Sequence, residues 1–400
     1  MKRILFVDDE SRVLDGLMRL LRANRTRWEM HFALGAEAAL RASEAQSFDV
    51  IITDMRMPGM DGATLLGHMR DRFPNTARII LSGYSEATAA ARSVSVAHRF
   101  LAKPCNALEL QSAIERVLTL QELVNSPKIR EIVGSVGELP SLSTTYASLT
   151  QAVMDPDVSI KQVASIIEHD VAMSAKVLQI ANSAFFGLSQ HVTNLFSAVS
   201  YLGMDTIKNL ALTCEAFKAF APDSRIPQSV CDAIQNHAIS VAAIAGVLPV
   251  DRQIRDATIV ASLLHDIGKL FLASAMHGEF CSVIAYANER GCKFFEAEEE
   301  LLGTSHAEIG AYLLGLWGIP DLAIEAIAHH HHITRIPHSG FDCTIAVYVA
   351  DLLAHELEAP PDHAIDTEMN EPERACLETL GLLSKLPEFR ELALQNHNCQ

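Results

Sequence analysis

The sequence lacks three features that would each assign it to a large class of proteins. No apolar run reaches the ~18–20 residues that a membrane-spanning helix needs, so we expect a soluble chain without membrane contact. No two of the eight cysteines form a CxxC pair, which argues against a disulfide framework or a thiolate zinc site. Acidic residues outnumber basic ones by 49 to 32, and the net charge of −17 disfavours direct nucleic-acid binding.

What the sequence contains is enough for two or three globular domains. Its 400 residues are 49% hydrophobic and 20% charged, values that are ordinary for folded proteins and exclude wholesale disorder. The amino-terminal segment MKRILFVDDE places two carboxylates directly after a short apolar run, which is unlike a secretory signal and favours a cytoplasmic location. Histidine is unevenly distributed, because ten of the 17 lie from His237 to His355.

The first part of the chain alternates short apolar runs with amphipathic segments. Val13, Leu14 and Leu17, for example, have the spacing of one helix face. Five strands that alternate with helices predict an α/β fold, in which a five-stranded parallel sheet carries helices on both faces. The predicted strands, rich in Val, Ile, Leu and Phe, are Ile4–Val7, Glu29–Ala33, Val50–Thr53, Arg78–Leu81 and Arg99–Ala102.

The strand pattern ends near residue 107, and the rest of the chain is predicted to be all-α. Ala107–Val124 is predicted as a closing helix, and Asn125–Pro127 as the joint that follows it. From there to about residue 358 one helical pattern follows another, punctuated by Gly and Pro. The acidic stretch Glu296–Glu300 is predicted to be an exposed helix face.

Polar side chains fall at the carboxyl ends of the predicted strands, the edge at which parallel sheets bind ligands. Carboxylates that converge there repel one another, and Mg²⁺, which keeps several waters and takes one or two carboxylates, relieves that repulsion. A carboxylate in such a site can form an aspartyl phosphate, with a lysine and a hydroxyl holding the phosphoryl oxygens. Any one of these residues alone could simply cap the next helix. The five residues are Asp8, Asp9, Asp54, Ser82 and Lys103.

This part of the chain closely resembles the receiver domains of response regulators. The resemblance is carried by ILFVDDE, by DVIITDMRMPGMDG, by Leu81–Gly83 and by Phe100–Pro104, and it spans roughly residues 1–120. It implies a flavodoxin-like fold and phosphorylation by a sensor histidine kinase or a phosphotransfer protein in a two-component system.

The resemblance also implies a role for each matching residue. Asp54 would be the phosphoacceptor, and Asp9, Asp54 and the backbone carbonyl of Arg56 would bind Mg²⁺. Asp8 would assist through a water molecule. Three further residues would respond to the phosphoryl group: Lys103 by pairing with it, Ser82 as the switch hydroxyl and Phe100 as the switch aromatic.

A second candidate site lies in the histidine-rich helical half. Ala257–Ala273 is predicted as one buried helix whose apolar pattern is interrupted by His265, Asp266 and Lys269. Burying an adjacent His and Asp costs several kcal/mol unless they are paired or bind a metal. A mixed imidazole and carboxylate set suits Zn²⁺, Mn²⁺ or Fe, although a lone histidine is more often a core residue or a surface donor. The other candidate ligands are His237, His306, His330, His331 and Asp351.

These residues resemble the HD superfamily of metal-dependent phosphohydrolases, in the order His, His-Asp, Asp. His306 and the pair His330 and His331 resemble the HD-GYP branch, which can hold two or more metals, but no GYP loop follows them. The broader resemblance is to the HDOD branch, through VGELPSL, IIEHDVAMSAKVLQIANSAFFG and SAVSYLGMDTIKNLAL, over roughly residues 130–335. HDOD domains generally lack a complete metal site and act as signalling modules, whereas this chain keeps every ligand type.

The predicted domains are a receiver over residues 1–120, a linker helix or joint over 121–135, an HDOD domain over 136–358 and a tail over 359–400. The half of the HDOD domain that carries the metal-site residues spans about 230–358.

We expect a response regulator whose HDOD output acts through an unidentified downstream protein, with a homodimer as one possible assembly. The alternative is a receiver-gated phosphohydrolase acting on a nucleotide or cyclic dinucleotide. A transcription factor is disfavoured because no basic helix-turn-helix pattern follows Pro127.

Overall fold

The structure is a computed structural model, and it divides into two compact units. Unit 1 comprises residues 1–144 and 312–318, and unit 2 comprises residues 145–311 and 319–400. The residues that the structure describes are 1–83, 97, 99–103, 105–124, 126–135, 144–153, 155, 157–168, 173, 177, 194–204, 207–208, 211, 227–316, 319–358 and 369–397.

Unit 1 contains a five-stranded parallel sheet, which confirms the predicted α/β fold. The strand order is β2-β1-β3-β4-β5. The register pairs Asp8 with Leu34 and Asp54 with Leu81, so the carboxyl ends of these strands meet at one edge. The strands are β1 Lys2–Asp8, β2 Trp28–Leu34, β3 Val50–Asp54, β4 Ala77–Gly83 and β5 Arg99–Lys103.

The helices described for the first 135 residues include the predicted closing helix, which ends one residue earlier than expected. It begins with a capping box, in which Asn106 and Glu109 each accept a hydrogen bond from the other's backbone N–H. After the joint, Pro127 begins a further helix. The helices are α1 Ser11–Leu20, α2 Ala36–Ala45, α3 Gly62–Arg72, α4 Ala107–Leu123 and α5 Pro127–Ser135, with a 3₁₀ helix at Arg22–Thr26.

Both faces of the sheet are covered, which is why its strands are almost continuously apolar. Successive strand residues point to opposite faces. Ile4 and Phe6 therefore pack into a cluster with Leu14 of α1 and Ile114 of α4. Leu5 and Val7 pack into a second cluster, which contains Leu65, Leu66 and Met69 of α3.

The part of the chain after residue 143 is helical wherever the structure describes regular elements. The helices are α6 Thr144–Val153, α7 Ile160–Glu168, α8 Leu195–Leu202, α9 Gln228–Val247, α10 Arg252–Leu264, α11 Ile267–Ala275, α12 His277–Arg290, α13 Phe294–Leu302, α14 His306–Leu316, α15 Asp321–His329, α16 Cys343–Glu358, α17 Glu371–Thr379 and α18 Leu386–His397. Short 3₁₀ helices span Ile333–Arg335 and Leu383–Lys385. One large core cluster joins α9, α16 and α18, with Val241, Ile345 and Phe389 among its members.

The prediction of one uninterrupted helix over residues 257–273 is wrong. The chain forms two helices, α10 and α11, separated by a turn at His265 and Asp266. At Asp266 the backbone leaves helical geometry, with φ −96° and ψ 5°. The apolar pattern continues across the turn because the end of α10, Thr258–Leu264, and most of α11 are buried, so the pattern alone concealed the break.

Two apolar stretches, Ser229–Val247 and Arg252–Ala275, are long and apolar enough to pass a test for membrane spans. This differs from the expectation that no such stretch exists. The second stretch is interrupted by the polar turn at His265 and Asp266, and 83% of its window is buried within the protein. A core helix of a globular domain meets the same test, so these stretches are weak evidence for a membrane span.

Candidate functional site

The first candidate site lies at the carboxyl edge of the sheet in unit 1. Asp8 is the last residue of β1, Asp54 the last residue of β3 and Lys103 the last residue of β5. The Nζ atom of Lys103 lies 3.3 Å from Asp8 Oδ2 and forms an ion pair with Asp54. The structure therefore brings together these three predicted residues from three different strands.

Backbone groups orient both carboxylates. Asp8 Oδ1 accepts a hydrogen bond from the N–H of Glu10 (2.9 Å), and Asp54 Oδ2 accepts one from the N–H of Arg56 (3.0 Å). The loop after Asp54 also folds back tightly, since a Cβ atom at Gly62 would lie only 2.1 Å from the Asp54 carbonyl oxygen. Glycine at this position thus permits the close approach that sets the position of β3's end.

The charges at this edge are compensated within the site. Burial acts to lower the pKa of Lys103, but its hydrogen bond to Asp54 and the charge of that carboxylate outweigh burial and raise the pKa. The Lys103 ammonium group is therefore held in its charged form. Two oriented carboxylates at one edge supply the hard oxygen donors that Mg²⁺ prefers, so the residues present fit that ion.

Four further residues were predicted at this edge, and the structure describes the side chains of two of them. Asp9 follows Asp8 and is exposed. Arg56 lies in the loop that begins after Asp54, with its N–H already bonded to that carboxylate. The side chains of Ser82 and Phe100, predicted as switch residues, lie outside the described part of the structure.

The second candidate site is a cluster of histidines and carboxylates in unit 2, which we call the histidine cluster. It contains all seven predicted ligands, brought together from five places in the chain. His237 lies on α9, His265 and Asp266 form the turn between α10 and α11, and His306 begins α14. His330 and His331 directly follow α15, and Asp351 lies on α16.

Among the described residues, three groups of His, Asp and Glu side chains in unit 2 lie close enough together to share a metal ion. In each group one ligand atom per residue lies within 4.8 Å of every other. The first group is His237, His265 and Asp351, and it lies in the interior. The other two are Asp266, His306, His330 and His331, and His237, His355 and Glu358.

Hydrogen bonds to backbone carbonyls fix the orientation of two imidazole rings, those of His265 and His330. The Nδ1 atoms of His265 and His330 lie 2.7 Å from the carbonyl oxygens of Ser262 and Ile327. A carbonyl can only accept, so each Nδ1 carries the proton and each Nε2 keeps a lone pair. Both Nε2 atoms are buried and have no hydrogen-bond partner among the described residues.

Such an arrangement is what a metal ligand needs. Metal-binding histidines almost always donate the second ring N–H to a carbonyl or carboxylate, which leaves the other nitrogen free for the cation. A buried nitrogen without a partner otherwise costs free energy. Burial lowers the pKa of His265 and holds the pKa values of His330 and His331 well below the ordinary value, so these rings are neutral. The residues present therefore fit a borderline cation such as Zn²⁺, Mn²⁺ or Fe.

Glu298, which the sequence did not reveal as a site residue, accepts a hydrogen bond from Nδ1 of His306 and so orients that ring. Glu298 Oε2 lies 2.5 Å from His306 Nδ1 and accepts a second hydrogen bond from the His306 N–H at 2.9 Å. The prediction of an exposed face over residues 296–300 is thus wrong at Glu298, whose exposed fraction is 0%. Its neighbours Glu296 and Glu300 are exposed as predicted.

Close packing of two helices places His306 beside Asp266. A Cβ atom at Gly268 would lie 2.0 Å from the backbone oxygen of His306, and one at Gly310 would lie 3.1 Å from Ile267. The two glycines thus let α11 and α14 approach each other closely. As a result His306 Nε2 lies 3.1 Å from Asp266 Oδ1 and 3.0 Å from His331 Nε2.

Asp266 is buried yet ionised. Burial acts to raise its pKa, but the charge of Lys269 and the nearby His265 and His306 hold the pKa well below its usual value. Lys269 Nζ lies 2.6 Å from Asp266 Oδ2, so this lysine is an ion-pair partner of the cluster.

His237 and Asp351 form the more accessible side of the cluster. His237 Nε2 lies 2.9 Å from Asp351 Oδ1, and His237 Nδ1 lies 3.0 Å from Glu358 Oε2. Burial acts to lower the pKa of His237, but these two carboxylates raise it to about 10. A cation that binds either ring nitrogen of His237 must therefore displace a proton.

Sequence reasoning missed Glu298, His355 and Glu358 as members of the cluster. His355 and Glu358 follow Asp351 by four and seven residues, a spacing that places all three on one face of α16 and could have indicated them. For Glu298 the acidic run Glu296–Glu300 concealed the signal, because only one of its four glutamates is buried.

Comparisons with known proteins find two domain families in the chain, one in each of the regions that carry the candidate sites. The family model "Response regulator receiver domain" matches residues 4–115, and the model "HDOD domain" matches residues 139–333. The first range contains the aspartate–lysine edge, and the second contains the histidine cluster up to His331.

Three relatives illustrate the similarity. An uncharacterised protein of Treponema pallidum is 25% identical over 209 residues, which cover 52% of this chain and 40% of that protein. The uncharacterised transcriptional regulatory protein YesN of Bacillus subtilis is 33% identical over 129 residues, which cover 30% of this chain and 33% of that protein. A crystal structure of an HDOD domain protein of unknown function from Geobacter sulfurreducens is 24% identical, with a TM-score of 0.48, over 72% of this chain and 99% of that one.

The chain spans less than half the length of the two curated relatives. The matched ranges nevertheless agree with the fold of each unit, a parallel sheet with helices on both faces and a helical assembly. The chain therefore contains a response regulator receiver domain, residues 4–115, followed by an HDOD domain, residues 139–333.

Proposed function

We propose that the receiver is phosphorylated on Asp54 by a partner histidine kinase or phosphotransfer protein and thereby controls the HDOD domain as a signalling output. The observation that supports this most is the position of Lys103 Nζ, which contacts both Asp8 and Asp54 at the sheet edge. The pair of carboxylates and the ammonium group supply the charges that a phosphoryl group and Mg²⁺ require. We further propose a cytoplasmic location and an unidentified downstream protein partner.

The proposed reaction is transfer of a phosphoryl group to Asp54. An oxygen of the Asp54 carboxylate forms a bond to phosphorus, while the bond from phosphorus to the donor's leaving group breaks. Lys103 then balances the charge that the phosphoryl group adds at the edge. Asp9, Asp54 and the Arg56 carbonyl would hold Mg²⁺, which when bound supplies charge neutralisation of the phosphoryl oxygens.

Labelling of the full chain by a small acyl phosphate in Mg²⁺ tests this proposal. We expect the wild-type protein and the control Asp15→Asn, which changes an exposed carboxylate on α1, to be labelled equally. Asp54→Asn should take up no label. Persistent labelling of Asp54→Asn would show that the phosphoacceptor is another residue.

We also propose that the histidine cluster binds a divalent transition-metal ion. The support comes from three rings whose Nδ1 atoms are engaged and whose Nε2 atoms face the cluster interior, two of them without a hydrogen-bond partner among the described residues. Metal analysis of untagged protein purified without added metal tests the proposal. We expect at least one equivalent per chain, lost in His265→Ala and kept in the control His277→Ala. Substoichiometric metal in the wild-type protein would contradict it.

The second candidate function is hydrolysis of a nucleotide or cyclic dinucleotide by this cluster. The observation that favours it is the completeness of the His, His-Asp, Asp set, together with the buried ion pair of Asp266 and Lys269. Hydrolysis assays with cyclic dinucleotides, on phosphorylated and unphosphorylated protein, separate the two functions. Turnover that disappears in His265→Ala would establish the enzyme, whereas metal-loaded protein without turnover in either state would leave the signalling role.

A further inference from the structure

The ligand-type side chains of unit 2 form a continuous series from the surface to the interior. At the outer end, the side chains of His355 and Glu358 are 44% and 42% exposed. Next come His237 and Asp351, at 10% and 9%. At the inner end, the side chain of His306 is 0% exposed.

Short contacts connect the members of this series. Glu358 lies 3.0 Å from His237, and His237 lies 2.9 Å from Asp351. Asp351 Oδ1 lies 3.7 Å from His265 Nε2, which in turn lies 3.6 Å from Asp266. Neighbouring members of the series therefore lie no more than 3.7 Å apart.

The outer three residues, His237, His355 and Glu358, have the composition of a cation site. Two imidazoles and one carboxylate with open positions form a known binding set for divalent transition metals. Their ligand atoms lie within 4.8 Å of one another, and the rings of His237 and His355 are 4.5 Å apart. Exposure at His355 and Glu358 leaves room for water to complete the coordination.

His237 is shared between the outer group and the interior group. Its Nδ1 faces Glu358, and its Nε2 faces Asp351. A neutral imidazole has only one lone pair, so His237 can serve one of the two groups at a time. Simultaneous occupation of both groups through this ring is therefore disfavoured.

We propose that His237, His355 and Glu358 form a loading site, at which a divalent transition-metal ion binds before it passes to the buried part of the histidine cluster. This inference rests on the proposed metal binding by that cluster. It assigns His355 and Glu358 a role in how fast the cation arrives, because they are absent from the two buried groups that would hold it.

The rate of Co²⁺ uptake by chelator-treated full-length protein tests the proposal. Stopped-flow absorption follows the ligand-field bands of bound Co²⁺, and dialysis gives the final content. In His355→Ala and in Glu358→Gln we expect uptake to slow on the order of tenfold, the lower end of what charged clefts contribute to association rates. The final Co²⁺ content and spectrum should equal those of the wild-type protein.

Glu325→Gln is the matched control, since it removes an exposed carboxylate of α15 outside the cluster and should leave the rate unchanged. Unchanged uptake rates in both loading-site variants would overturn the proposal. Loss of one Co²⁺ equivalent without any change in the rate at which the rest binds would also overturn it, because the outer group would then be a permanent site. If the wild-type protein binds no Co²⁺, the proposed metal binding itself fails.

Discussion

At the scale of single residues, the histidine cluster depends on groups that do not themselves face the cluster interior. Glu298, Ser262 and Ile327 occupy the Nδ1 atoms of three rings and so determine which nitrogen is free. The seven ligand candidates could be named from the sequence because His and Asp are conspicuous within apolar helices, and their role as ligands remains a prediction. It could not reveal two backbone carbonyls, which any residue supplies, or distinguish Glu298 from the glutamates beside it.

Replacing Glu298 tests this dependence. Glu298→Gln keeps the size of the side chain and can still accept a hydrogen bond, but it removes the negative charge that makes His306 a better ligand. We expect metal affinity to fall about 10–100-fold. A competition titration with a chromophoric chelator measures the change, and Glu300→Gln, exposed on the same helix, is the control. Equal affinities in the two variants would show that the Glu298 charge has no influence on the site.

The metal-free protein should show a pH-dependent contribution from His237. Its pKa is raised to about 10 in the folded protein, from an ordinary value of 6.5. The folded state therefore holds the proton more tightly than the unfolded state, and the added stability is complete below pH 6.5 and lost as the pH rises through about 10.

Denaturant unfolding of chelator-treated protein across this pH range measures the effect. We expect a decrease in the free energy of unfolding on the order of a few kcal/mol. In His237→Gln this part of the decrease should be missing. An identical pH profile in the variant would contradict the proposed pairing with Asp351 and Glu358.

At the scale of elements, the histidine cluster depends on the turn between α10 and α11 and on the close packing of α11 against α14. The hydrophobic periodicity of the sequence revealed neither feature. The strands were predicted almost to their ends because each is a short apolar run bounded by polar residues. The single helix predicted over 257–273 is instead α10 and α11. The boundary was missed because the residues on either side of the turn, Thr258–Leu264 and most of Ile267–Ala273, are buried and mostly apolar, so no polar face marks it.

Gly268→Ala tests whether the contact between α11 and α14 positions the cluster. The added methyl group would lie 2.0 Å from the His306 backbone oxygen, so one of the two helices has to move. We expect a loss of about 1–3 kcal/mol in the free energy of unfolding, together with weaker metal binding. Gly278→Ala is the control, because nothing lies within 4 Å of the place that a Cβ atom would occupy there. Wild-type metal affinity in Gly268→Ala would show that this helix contact does not set the position of His306.

At the scale of the whole molecule, the chain combines two compact units with separate chemistry. The aspartate–lysine edge lies in unit 1, and every member of the histidine cluster lies in unit 2. The order of strands and helices was enough to predict both fold classes, whereas the boundaries at residues 120, 135 and 358 remain predictions.

Removal of the metal should therefore affect one unit alone. A ligand that binds the folded state at 100 times its Kd stabilises it by roughly 2.7 kcal/mol. In calorimetry of the full chain we expect chelation to lower the Tm of the transition that His265→Ala also lowers, and to leave the other transition in place. Equal shifts of every transition, or no shift at all, would contradict the assignment of the metal to unit 2.

The most direct test of the proposed receiver chemistry is to locate the phosphoryl group itself. Full-length protein is treated with a small acyl phosphate in Mg²⁺, digested at once and analysed by tandem mass spectrometry. We predict one phosphoryl group per chain, attached to Asp54 at the end of β3. A phosphoryl group on any other residue, or an unmodified chain under conditions that label a known receiver, would contradict the central proposal.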